Sequence, residues 1–131
     1  MQFSVSTKKR IELVDITRQV EEAVERSTVK TGVCVVYAPH ATAAIVINEF
    51  EPNLAADFEQ VFERMLPQLS YMHDNIDDNA TSHLLSGLVG CERTIPIQNG
   101  RLALGTWQRI IFCELDGPRA TRNITVTILK A

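Results

Sequence analysis

The sequence predicts an α+β fold in which a mostly antiparallel β-sheet packs with two to three helices. Three observations carry this expectation. Apolar periodicity gives the order β-α-β-β-α-α-β-β-β-β, with the helices kept out of the C-terminal run. Asn99-Gly100 is the strongest hairpin signal in the chain, because a type I′ turn needs positive φ at both central residues. Setting that pair as the loop places Ile97 opposite Leu102 and Ile95 opposite Leu104, so all four share a face and the register agrees with the turn.

The elements follow in order. Residues 2–9 alternate weakly through Phe3 and Val5 and read as a first strand. Asp15 then opens a helix as N-cap, since its carboxylate can accept from orphan N–H groups of the first turn. Ile16, Val20, Ala23 and Val24 form one apolar stripe on that helix, and Thr31-Gly32 ends the segment. Residues 33–38 (VCVVYA) are a continuous apolar, β-branched run, the pattern of a strand covered on both faces. Pro39 breaks it, residues 40–43 fill the gap, and residues 44–47 form a second run closed by Asn48-Glu49.

Pro52 starts a long helix with Leu54, Phe58, Val61, Phe62 and Met65 at helical spacing, stopped by Pro67. A polar loop leads to Asn79, a good N-cap for a short helix carrying Ala80, Leu84, Leu85 and Leu88, with Gly90 just past its end. After the hairpin, residues 107–115 read as a strand and residues 116–119 as a turn. In the last strand Ile124, Val126 and Ile128 alternate with Asn123, Thr125 and Thr127.

Composition narrows the class. The 131 residues suit a single domain spanning 1–131, since one core commonly fills about 100–150 residues. An apolar content of 45% excludes global disorder. No apolar run approaches the roughly 20 residues that cross a bilayer, and no apolar stretch precedes the early basic cluster as a secretory signal would require. Thirteen Lys and Arg against sixteen Asp and Glu give a net charge of −3, without the basic tract of a nucleic-acid binder. The expectation is a soluble cytoplasmic protein without nucleic-acid or membrane partners. Cys34, Cys91 and Cys113 are an odd, widely spaced set that argues against a disulfide framework, and two of them sit in apolar runs as small buried hydrophobes.

The polar residues suggest chemistry at the ends of the buried runs. His40 lies in the break after Pro39, His73 in a loop with Asp74, Asp77 and Asp78, and His83 on the edge of the short helix's stripe. Imidazoles beside carboxylates can hold a zinc-like ion or act as general acid and base near neutral pH, although capping or boundary positions would also account for them. Glu114 and Asp116 are two apart on a strand and so project from one face toward the turn carrying Arg119. Such a group can hold a metal or orient a phosphate-bearing substrate; the alternative is a solvated strand end with a surface ion pair. There is no P-loop, GxGxxG, GxSxG or HExxH, and residues 74–79 fail the EF-hand pattern.

Taken in order, five pieces resemble the YjbQ family over essentially the whole chain. They are Pro39-His40-Ala-Thr-Ala, Ile47-Asn48-Glu49, residues 78–84 (DNATSHL), residues 100–108 (GRLALGTWQ) and residues 114–119 (ELDGPR). Members of that family are commonly labelled secondary thiamine-phosphate synthase. The resemblance implies a YjbQ-like α+β fold assembled as a homotrimer, with a polar pocket near subunit contacts. It implies a weak, metal-assisted transfer between a pyrimidine diphosphate and a thiazole phosphate, with His40, His83, Arg119 and Glu114 as catalytic candidates. Asn48, Glu49, Trp107, Gln108 and Asp116 would bind substrate, and His40, His73 and His83 would hold a divalent metal, Zn or Mg. A non-catalytic, trimeric metal- or ligand-binding module is the alternative.

Overall fold

The structure, a computed structural model, describes all 131 residues. Eight strands and three helices follow the order β1 (Gln2–Val5), β2 (Glu12–Asp15), α1 (Thr17–Ser27), β3 (Thr31–Tyr37), β4 (Ala43–Asn48), α2 (Pro52–Arg64), α3 (Ala80–Val89), β5 (Glu92–Gln98), β6 (Arg101–Leu102), β7 (Arg109–Glu114) and β8 (Arg122–Lys130). A 3-10 turn, Met72–Asn75, precedes α3. No helix is long and apolar enough to cross a membrane.

The strands form two sheets in which every pairing is antiparallel, a five-stranded β1-β8-β3-β5-β6 and a three-stranded β2-β7-β4. Strand alternation explains how they stack. Cys34, Val36, Ile95, Ile97, Ile124 and Val126 of the larger sheet meet Ile45, Ile110 and Phe112 of the smaller one, with Val20 and Val24 of α1 closing the side. The intervening residues of the smaller sheet, Leu13, Ala44, Ile111 and Cys113, face the other way onto Phe62 of α2 and Leu85 of α3. The result is three layers: large sheet, small sheet, helices.

The strand buried on both faces is therefore β7, whose Arg109–Glu114 stretch runs Ile-Ile-Phe-Cys through the middle layer. The run 33–38 is different from the expectation. β3 buries Cys34 and Val36 but turns Val33, Val35 and Tyr37 to a face that no helix covers, and Tyr37 is exposed. β-branched residues suit such half-buried pleated surfaces, so composition alone does not separate the two cases.

β2 was not expected. The first strand stops at Val5, and residues 12–15 pair with Ile111 to Glu114 of β7. Asp15 still serves the start of α1, where its Oδ1 accepts from Thr17 N at 3.0 Å, although the helix opens with Ile16 in the N-cap position. Burial would raise the Asp15 pKa, but the Thr17 hydrogen bonds and Arg109 outweigh it and hold the carboxyl below its usual range. α2 begins at Pro52 as expected, with the Glu51 carboxylate accepting from Asn53 N and Leu54 N. The hairpin keeps the expected pairing of Ile97 opposite Leu102, with positive φ at Asn99 and Gly100, but β6 ends at Leu102, so the expected Ile95–Leu104 pair lies beyond the ladder. The strand expected over 107–115 is shorter at both ends, and Trp107 sits in the preceding turn.

α3 is rotated from the expected stripe. Ala80, Ser82, Leu85 and Ser86 are its buried residues, while Leu84 and Leu88 point outward at 43% and 68% exposure. Two hydroxyls set this rotation. Ser82 Oγ donates to the Leu115 carbonyl and Ser86 Oγ to the Ala43 carbonyl, each at 2.6 Å. Small polar side chains satisfied by strand-end carbonyls let the helix approach closely where leucines would stand it off.

Candidate functional site

The polar residues at the C-terminal end of β7 divide into a buried brace and a half-exposed cluster. The brace consists of Glu114 and Arg122, both buried. Arg122 Nη2 and Nε donate to Glu114 Oε2 at 2.5 and 2.9 Å, Thr7 Oγ1 donates to Glu114 Oε1 at 2.7 Å, and Arg122 Nη2 also donates to Thr42 Oγ1 at 2.9 Å. The expectation that Glu114 shares an open face with Asp116 is thus corrected. The parity is right, but β7 ends at Glu114, whose side chain turns between the sheets, and Asp116 belongs to the turn beyond.

The cluster lies in the angle, a surface cleft, where that turn meets α3. Arg119 Nη2 and Asn79 Nδ2 both donate to Asp116 Oδ2 at 2.9 Å, and Arg119 Nε donates to the Asp116 carbonyl. His73 Nε2 is 3.0 Å from Asn79 Oδ1, an oxygen that can only accept, so Nε2 is the donor. The His73 and His83 rings meet edge to face, with centroids 4.7 Å apart. Asn79 is free for this bridging because it does not cap α3 with its side chain; Asp74 Oδ1 accepts from Ala80 N instead, at 2.9 Å. Sequence reading assigned Asn79 to capping and missed the bridge, since a carboxylate five residues upstream leaves no periodic signal.

His40 stands apart from this pair. Its Nε2 is 3.0 Å from both the backbone N and O of Asn123, so the neutral ring accepts from the N–H and the protonated ring donates to the carbonyl. Burial pushes its pKa down. Arg122 and Arg119 add to that, while the Asn123 carbonyl and Glu114 oppose it without overcoming it. A depressed histidine pKa favours the folded state fully above the ordinary value near 6.5, and that contribution is lost as pH falls through the folded value. The urea midpoint is expected to drop between about pH 7.5 and about pH 5, and His40→Gln is expected to flatten part of that drop. An identical drop in both proteins would remove His40 from the account.

The three-histidine metal set is not assembled within one chain. No group of three His, Cys, Asp or Glu side chains lies close enough to hold an ion, and His40 uses Nε2 on the backbone. Two imidazoles fall short of the three protein ligands typical of a catalytic zinc site.

The remaining candidates sit at the other pole. Asn48 pairs with Arg109 at one end of the β4–β7 ladder and Ala43 with Glu114 at the opposite end. Five steps of strand separate them, about 17 Å. Asn48 and Glu49 are exposed there, and Asn48 Oδ1 accepts from Glu49 N. Gln108 Oε1 accepts from Gly105 N and closes the turn that carries Trp107, which is 71% exposed. Asn48, Glu49, Trp107 and Gln108 therefore do not line the His73–His83 cleft of their own chain. All three cysteines are free, and burial pushes the Cys34 thiol up to about 11 and Cys113 to about 12, as inert core groups require.

Fold and cleft together define a three-layer α+β domain that gathers ionisable side chains where a turn meets a helix. Comparison with known proteins then places it. The family described as UPF0047 protein YjbQ-like matches residues 1–131, and the chain belongs to that family. A UPF0047 protein of Archaeoglobus fulgidus is 46% identical over 130 residues, covering 98% of this chain and all of that one. The UPF0047 protein YugU of Bacillus subtilis is 40% identical over 128 residues, covering 97% and 96%. Among solved structures, a YbjQ-like protein of unknown function from Sulfolobus solfataricus superposes with a TM-score of 0.96 at 47% identity, covering 100% of this chain and 96% of that one.

Proposed function

We propose that the protein is a small-molecule enzyme whose reaction takes place at the cleft between Arg119 and the His73–His83 pair. The observation that carries this reading is the continuous chain His73–Asn79–Asp116–Arg119, which holds an imidazole and a guanidinium in one fixed relation. A guanidinium recognises phosphate oxygens, and imidazoles transfer protons near neutral pH. Neither ring nitrogen of His83 has a hydrogen-bond partner in the chain, so this ring is the one free to meet a substrate.

The finer reading is the transfer suggested by the family resemblance. The bond between the pyrimidine methylene carbon and the diphosphate oxygen breaks, the thiazole nitrogen forms a new bond to that carbon, and pyrophosphate leaves. Arg119 would hold the departing diphosphate, and a protonated imidazole would supply its proton. Arg122 is committed to Glu114, so Arg119 is the accessible guanidinium here, which agrees with a slow transfer. A homotrimer in the cytoplasm belongs to the same reading.

Purified protein incubated with the pyrimidine diphosphate, the thiazole phosphate and Mg²⁺ is expected to give thiamine phosphate detectable by mass spectrometry. His83→Ala and Arg119→Ala, neither of them core residues, are each expected to lower the rate by about 100-fold or more with folding intact. Unchanged rates in both variants would remove the cleft from the mechanism. The unbonded nitrogens of His83 also favour a second reading, a binding module. Stoichiometric calorimetric binding of Zn²⁺ or of the diphosphate, with no product formed, would select it.

A further inference from the structure

Thr7 lies in an irregular stretch between β1 and β2, yet it is only 5% exposed. Its hydroxyl is used in both senses. Oγ1 donates to Glu114 Oε1 at 2.7 Å and accepts from Arg119 N at 2.9 Å. The Glu114 carboxylate, paired with Arg122, can only accept, and a peptide N–H can only donate, so the hydroxyl proton has one place to go. Thr7 N in turn donates to the Arg119 carbonyl at 2.9 Å. One buried residue therefore holds both backbone polar groups of Arg119.

These bonds join the brace to the cluster. An unbroken sequence of hydrogen bonds runs Arg122–Glu114–Thr7–Arg119–Asp116–Asn79–His73, and Thr7 is its crossing from the core to the surface. The side chain of Arg119 spends Nε and Nη2 on the carbonyl and carboxylate of Asp116 and leaves Nη1 without a partner in the chain. Both acceptors belong to the same turn. They orient the guanidinium within that turn and leave the placing of the turn itself to other contacts. Thr7 supplies two of these, and Gly117 N to the Arg10 carbonyl supplies a third.

We propose that Thr7 is a positioning residue for Arg119, whose hydroxyl transmits the geometry of the buried Glu114–Arg122 pair to the guanidinium that receives the substrate's phosphate oxygens. This rests on the reading of the cleft between Arg119 and the His73–His83 pair as the working site. A guanidinium grips phosphate through a planar fork, so a displaced or swinging fork loses affinity steeply. Thr7 thus governs anion binding although it is buried beneath the site.

Thr7→Val keeps the shape of the side chain and removes the hydroxyl, whereas Thr7→Ser keeps the hydroxyl. Circular dichroism checks that both are folded at the temperature used. Inorganic pyrophosphate, titrated by calorimetry, is the probe. Thr7→Val is expected to bind it about 10-fold or more weakly than wild type, and Thr7→Ser within about 3-fold of wild type. Thr7→Val/Arg119→Ala is expected to bind no more weakly than Arg119→Ala alone, since Thr7 acts through that guanidinium. In heteronuclear NMR spectra the Arg119 Nε–H resonance is expected to shift or broaden in Thr7→Val and to return in Thr7→Ser. A purely structural hydroxyl would lower the urea midpoint and leave the affinity and that resonance where they are. Wild-type affinity in Thr7→Val, a Thr7→Ser protein as weak as Thr7→Val, or additive losses in the double variant would overturn the proposal. If the wild type binds no pyrophosphate, the functional reading fails, and the resonance decides the role of Thr7 by itself: displaced in Thr7→Val it upholds the positioning, unmoved it overturns it.

Discussion

Glu114→Ala is expected to cost about 3–5 kcal/mol of folding stability, the range for leaving one member of a buried ion pair without its partner. Arg122 is almost wholly enclosed, and its Nε and Nη2 are both engaged with Glu114. Removing the carboxylate leaves a guanidinium in the core with only Thr42 to solvate it and strips Thr7 Oγ1 of its acceptor. The pair also joins the layers, since Glu114 ends β7 of the small sheet and Arg122 begins β8 of the large one. Urea unfolding should show a lower midpoint with an unchanged slope. Replacing both residues by apolar ones, as in Glu114→Leu with Arg122→Met, should recover most of the loss, because the penalty lies in the orphaned charge rather than in the missing attraction. A loss below about 1 kcal/mol in the single variant would mean that water reaches the guanidinium.

Gly117→Ala is expected to damage fold and cleft together. A Cβ there would lie 2.2 Å from the Lys9 carbonyl oxygen and 2.8 Å from Glu114 Cγ. Neither neighbour can yield easily, since Gly117 N donates to the Arg10 carbonyl at 2.9 Å and Glu114 is held by its brace. Overpacking of this kind costs about 1–3 kcal/mol, and more where backbone is the obstacle. The turn must move, and it carries both Asp116 and Arg119. Turnover or ligand binding is therefore expected to fall by about 10-fold or more even at temperatures where the variant is fully folded. Native stability in the alanine variant would show that the residue 9 segment is free to retreat.

The layered α+β fold was legible because its strongest signals are local. Asn99-Gly100, the Pro52 start of α2 and the alternation of β8 each depend on neighbours in sequence. β2 was hidden because four residues carry little periodicity and Asp15 also serves the helix start. The rotation of α3 was hidden for a different reason. Three leucines outweigh two serines in any hydrophobic count, yet the serines face inward because strand-end carbonyls await them. The candidate site was half legible. His73, His83, Asp116 and Arg119 were singled out and do lie at one cleft, but the Asn79 bridge was assigned to capping. Asn48, Glu49, Trp107 and Gln108, which the resemblance places in the same pocket, lie at the far pole of their own chain because strand length holds them there. Residue types can suggest a shared chemistry; only the direction and length of β4 and β7 decide which end they reach.

The serine anchors of α3 bear on motion as well as on rotation. Ser82, beside His83, is tied to the Leu115 carbonyl, and Leu115 adjoins Asp116, which holds Arg119. The helix that carries the imidazole is thus hydrogen-bonded to the segment that carries the guanidinium. Displacement of that turn draws α3 with it, so the imidazole and the guanidinium keep a common spacing.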